Sequence, residues 1–267
     1  MGQLFNRYLD GDCVSVWQEL VDLRSDALQP PHLDDAMKIA EEMVRRIIHN
    51  AKIIGQYLID AGYDFETPGP FVVPADETTA NSVRQIEQEF GELPLFLKIW
   101  WRHVDHFNHL PTEAFRNSGQ GCAIEGILPV QGILIESPGE CLATSLQRAI
   151  DIREHIEKAN AAGIDGEEEY YEDEPNLVLG PYTSGNDHVG YQLPLRAVDG
   201  ISHRHPDDEE PESLVDWLRF YYLQRGGLGH QYFGAVSKPE GGTEMRYYNR
   251  PQDEVKSIVR SMDLVSF

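Results

Sequence analysis

Two groups of histidines and two runs of acids are the residues whose types and spacing could do chemistry. His103, Asp105, His106 and His109 stand within seven residues of one another, and a spacing of three along a helix would put His103 and His106 on one face. Imidazole and carboxylate together are ligands for zinc or a proton-transfer pair. His203, His205, Asp207 and Asp208 form a second group, in which an alternating His-x-His with nearby carboxylates suits zinc or manganese. The acidic run at 165–174 (DGEEEYYEDE) is rich in hard oxygen donors but lacks the alternating ligands and central glycine of a calcium-binding loop.

Neither histidine group comes with a complete ligand set. Pro111 and the loop-like FNHL at 107–110 imply that the helix carrying His103 ends there, and the second group lies in a strongly acidic segment that reads as a solvated linker. Gly226, Gly227 and Gly229 follow a helix rather than a strand and read as a helix stop, not a dinucleotide loop. The chain contains no phosphate-binding loop, HExxH or GxSxG string. The expectation is therefore no catalytic residue, no metal and no cofactor. An enzyme built on His103, His106 and His109, or on His203, His205 and Asp207, stands as the alternative, and a structural subunit of a larger assembly as a further one.

Charge points elsewhere. The chain has 45 acids against 22 Lys and Arg, for a net charge of −23 over 267 residues. Seven acids fall in 165–174 and five in 207–212 (DDEEPE), and removing these twelve still leaves −11. Direct binding to nucleic acid is disfavoured, since phosphates must be neutralised by Lys and Arg. A basic protein surface is the partner such a field attracts. Within the longer run, Tyr170 and Tyr171 sit among Glu167, Glu168, Glu169, Glu172, Asp173 and Glu174. Tyrosine supplies contact area and a hydrogen-bonding tip, so these eight residues are the predicted partner-binding segment.

Composition agrees with a globular chain, at 41% hydrophobic and 25% charged residues. No apolar run approaches the ~18 residues of a membrane span, and MGQLFNRYLDGD has no signal-peptide build. Asn6 stands where a myristoylation site takes Ser or Thr. Cys13, Cys122 and Cys141 are widely spaced and predict reduced thiols. A cytoplasmic protein is expected, without membrane contact.

The elements that must position these residues begin with two helices in residues 1–65. The first carries Val16, Trp17, Leu20, Leu23, Ala27 and Leu28 after Asp12 as N-cap, and Pro30-Pro31 ends it. The second, over 34–61, has a sustained stripe of Ala36, Met37, Ala40, Met43, Val44, Ile47, Ile48, Ala51, Ile54, Leu58 and Ala61. Its ~28 residues would span roughly 42 Å. A Pro-rich connector at 66–77 is the predicted boundary before a second unit, 78–267, with a single compact unit as the alternative. There, helices are expected at 79–90, 95–104, 139–160, 212–224 and 252–261, with Trp100 and Trp101 adjacent so that one would reach an edge. Strands are expected at 122–128, 130–135, 177–179 and 189–198, with short aromatic runs at 231–236 and 245–248.

The string VRQIEQEFGELPLFLKIWWRHV at 83–104 resembles the opening of the SUKH superfamily, which includes bacterial toxin-immunity proteins and a fungal cell-wall regulator. NLVLGPYTSGNDHVGYQLPLRAV at 176–198 resembles the strand, Ser-Gly turn and strand of some bacterial members, and LVDWLRFYYLQRGGLG at 214–229 resembles their late aromatic helix. The helical preface at 33–65 is also similar. DHFNHLP at 105–111 and the acidic insert at 165–174 depart from the pattern. The resemblance implies an α+β fold, a twisted, mainly antiparallel sheet flanked by helices with an N-terminal helical segment, used to bind protein without catalysis.

Overall fold

Leu33–Asp60 forms a single helix of 28 residues, α3. An apolar residue returns every three or four positions, and this stripe buries Ile39, Ala40, Met43, Val44, Ile47, Ala51, Ile54 and Leu58. Gly62, at φ 85°, takes the left-handed conformation that stops the helix. The computed structural model describes residues 2–60, 62, 64–65, 72–108, 134–135, 137–161, 176–181, 188–192, 197–203, 212–219, 223, 231–237, 243–249 and 252–267.

The first turn of α3 has a second task. The Asp35 carboxylate is buried and accepts the Leu4 N–H at 3.0 Å and the Phe5 N–H at 3.4 Å. These are orphan donors of a first helix, α1 (Gln3–Leu9), which the sequence analysis does not anticipate. Gly2 is its N-cap, and a Cβ there would collide with the Asp35 carboxylate, so the close approach admits only glycine. Helix α2 (Cys13–Asp22) follows, then a 3₁₀ turn (Arg24–Leu28) and the Pro30-Pro31 break. Asp12 stands at the predicted N-cap of α2, but its side chain makes no cap bond. It accepts the Arg7 guanidinium at 2.8 Å instead, because a charge-assisted pair outcompetes a single backbone N–H.

Helix α4 (Glu77–Phe90) starts with a reciprocal capping box. Asp76 accepts the Thr79 N–H at 3.0 Å, and Thr79 Oγ1 accepts the Asp76 N–H at 3.1 Å. Gly91, at φ 97°, ends it. Helix α5 (Leu95–His103) buries Leu95, Phe96, Leu97, Ile99, Trp100 and Trp101. Both tryptophans are 1% exposed, so neither lies at an edge. Lys98, Arg102 and His103 carry the polar side of α5 toward solvent, and its apolar residues fill the core. Phe96 joins Trp17 of α2 edge-on, with ring centroids 6.1 Å apart, and tilts against Trp100 at 6.2 Å.

Helix α5 runs directly into strand β2 (Val104–Asn108), where a loop is expected from DHFNHLP. Pairing overrides the weak local preference: β2 lies antiparallel between β1 (Val72–Pro74) and β3 (Leu134–Ile135). Helix α6 spans Pro138–Ala161. A second antiparallel ladder runs β4 (Asn176–Pro181), β5 (His188–Gln192), β6 (Ile201–His203) and β7 (Glu212–Ser213) in that order. Part of the acidic loop expected at 202–211 is thus strand, and the helix expected over 212–224 is described as α7, Leu214–Arg219. Strands β8 (Gln231–Ser237) and β9 (Thr243–Asn249) make a hairpin, followed by α8 (Gln252–Ser261). The strand expected at 122–128 lies outside the described residues, and of the one expected at 130–135 only Leu134–Ile135 is described, as β3. Helices mixed with antiparallel strands make this an α+β chain. Among the described residues no helix is long and apolar enough to cross a membrane.

One hydrophobic core takes side chains from both sides of the expected boundary, from Leu4, Tyr8, Trp17 and Ile47 through Phe96, Trp101 and Val198 to Leu218, Met262 and Phe267. Buried polar groups bind its parts together. Asp199 Oδ2 accepts Trp17 Nε1–H at 3.3 Å and the Val215 N–H at 3.2 Å. Asn50 of α3 pairs reciprocally with the backbone of Val265, donating at 2.7 Å and accepting at 2.8 Å. Arg219 donates to the carbonyls of Phe267 at 2.7 Å and Cys13 at 3.2 Å.

Two outcomes follow from this packing. Ile47→Asp places a carboxylate where an isoleucine is fully enclosed. It forfeits ~1.5–3 kcal/mol of burial and adds several kcal/mol of desolvation, so thermal unfolding should show a Tm lower by on the order of 10 °C or no folded state. A shift within about a degree would place the stripe in solvent. Asp199→Ala removes the carboxylate that accepts from three buried N–H donors, Trp17 Nε1 and the backbones of Gly200 and Val215, at roughly 1–3 kcal/mol each. Asp199→Asn keeps an acceptor and should lose less in the same melt; equal, negligible losses would remove Asp199 from the framework.

Candidate functional site

The predicted partner-binding segment, Glu167 to Glu174 with Tyr170 and Tyr171, lies outside the described residues, as do His109, His205 and Asp207. His203 belongs to β6, in register with Gly190 of β5. His103 and His106 are both described, and the structure separates them by element: His103 is the last residue of α5 and His106 lies in β2. A spacing of three marks one face only if the helix continues, and here it stops at His103.

Each histidine has its own carboxylate. His103 Nε2 and Glu41 Oε2 of α3 are 2.5 Å apart, and Arg102 Nη1 donates to Glu41 Oε1 at 3.0 Å. The Arg102 cation at the C-terminal end of α5 also faces the negative end of its dipole. All three side chains are substantially exposed, so the group ties α5 to α3 only weakly. His106 Nδ1–H donates to Asp105 Oδ2 at 2.9 Å, and both side chains are partly buried.

Behind Asp105 the chain of contacts continues inward. Thr79 Oγ1–H donates to Asp105 Oδ1 at 2.5 Å, while the same hydroxyl is fixed by the Asp76 N–H. Thr79 itself is buried. The start of α4 therefore positions Asp105, and Asp105 positions the His106 ring. An acceptor at Nδ1–H selects the tautomer with Nε2 as lone-pair donor, the form that accepts a proton or ligates a cation. Among the described residues no group of three His, Cys, Asp or Glu is assembled to hold a metal. The Asp76-x-x-Thr79 signature is readable in the sequence; its link to Asp105, 26 residues from Thr79, is not.

The Thr79 N–H, supported by the Thr78 N–H and the Thr79 hydroxyl, holds the Asp76 carboxyl below the usual carboxylate range against the opposing effect of desolvation. A depressed folded value means that the capping contribution is complete above the ordinary carboxylate pKa and is lost as pH falls through the folded one.

Other features were not anticipated. Tyr8 is fully buried with the Arg46 guanidinium 4.9 Å from its ring centroid, and burial pushes its hydroxyl well above the ordinary tyrosine value. The Tyr8 hydroxyl and the indole N–H groups of Trp100 and Trp101 have no hydrogen-bond partner among the described residues. Cys13 and Cys141 are both buried, and Arg46 Nη1 donates to Cys13 Sγ at 3.3 Å. On α6, Leu146 and Ile150 are 39% and 49% exposed. Placed four apart, they make one solvent-facing apolar pair.

Thr79→Val keeps shape and removes the hydroxyl that serves both Asp105 and Asp76. The urea midpoint should fall by the equivalent of about 1–3 kcal/mol with an unchanged slope. An unaltered midpoint would show that α4 and β2 do not depend on this contact. In comparisons with protein-family models, curated proteins and solved structures, no match to this chain was found.

Proposed function

We propose that the chain is a non-enzymatic protein-binding module of the cytoplasm whose partner presents a basic surface. The observation that carries this reading is the charge distribution: −23 overall, with seven acids and two tyrosines in the ten residues 165–174 and no Lys or Arg among them. Such a run repels itself when free, and a cationic surface relieves that repulsion while the tyrosines supply contact area. The exposed Leu146–Ile150 pair on α6 adds apolar surface of the kind that interfaces cover. The motifs at 83–104, 176–198 and 214–229 support a finer version: a SUKH-like fold, with a twisted, mainly antiparallel sheet flanked by helices and an N-terminal helical segment, serving as a bacterial immunity protein or as a component of a defence or secretion assembly.

The test removes the segment. A partner captured from the host by chemical cross-linking is purified, and its association with the full chain and with a chain lacking 166–174 is timed at low and high salt. Steering by exposed charges is screened beyond ~8 Å at physiological ionic strength. The deletion should slow association roughly tenfold or more at low salt and flatten the salt slope, with dissociation changing less. Identical rates and slopes would exclude the segment from recognition.

A second reading, an acid–base or metal-dependent enzyme, rests on the Asp105-oriented His106 ring. Replacing His103, His106, His203 and His205 together by alanine separates the two. On the binding reading, partner affinity and protection in cells stay at the parent level. Loss of cellular activity in a variant that still folds and still binds would favour the enzyme.

A further inference from the structure

We draw no further inference here: the strongest candidate, the Asp76–Thr79–Asp105–His106 chain where the start of α4 meets β2, belongs to no group of three His, Cys, Asp or Glu that could hold a metal among the described residues, so nothing in the structure shows what it would bind.

Discussion

Leu95 and Phe96 are buried, so the first N–H groups of α5 have to find protein partners, and these come from a distant part of the chain. The Leu95 N–H donates to the Ala197 carbonyl at 3.0 Å and the Phe96 N–H to Val198 at 2.9 Å. Pro94, at the N-cap, has no N–H to satisfy, which reduces the number of orphans at a site that water cannot reach. Once residues 197–198 are fixed against α5, Asp199 is fixed as well. Its carboxylate then gathers Trp17 of α2, the Gly200 N–H and the Val215 N–H at the start of α7. A neutral side chain at 199 would offer fewer lone pairs to these donors. The buried start of α5 is thus tied to residues 197–199 and, through Asp199, to α2 and α7.

The opposite side of the core is held by a comparable device. Residues 264–267 make no strand, yet their carbonyls accept from Asn50, Arg46 and Arg219. Asn50 copies the donor–acceptor pair of a neighbouring strand from within a helix, so it occupies the buried stripe of α3 without leaving an amide unsatisfied. Arginine suits these positions better than lysine, because one planar fork reaches several acceptors. Arg46 serves Glu42, Ser266 and Cys13 together, and Arg219 serves Asp216, Phe267 and Cys13.

Elements governed by local periodicity were legible. The stripe from Ala36 to Leu58 predicts α3 to within one residue at each end, and the final helix at 252–261 has its expected bounds. Elements governed by distant partners were not. Helix α1 depends on an aspartate some thirty residues away, and β2 depends on strands β1 and β3 rather than on its own alternation. The surroundings of the described histidines were illegible for the same reason. Reading His103 and His106 as one face extends a helix past its true end, and the Thr79–Asp105 contact that orients His106 joins a cap to a strand. A capping box is visible in sequence because its partners lie three residues apart. A hydroxyl shared between that box and another element leaves no local trace.

The ion pairs bear on the charge that remains. Among the described residues Arg7, Arg45, Arg46, Lys98, Arg102, Lys158 and Arg219 each hold an acid within 4 Å. Lys98 bridges Glu87 and Glu92, and Arg7 bridges Asp12 and Glu19, so single cations answer for two carboxylates apiece. With 45 acids to 22 bases, tying the cations into internal pairs leaves the surplus acids without a counter-charge from the chain. Individual exposed pairs contribute little to stability, but as a set they decide which sign the surface presents. A field of that kind does not depend on the placement of any one loop. Under the proposed function, the segment at 165–174 would sharpen an attraction to basic surfaces that the rest of the chain already exerts.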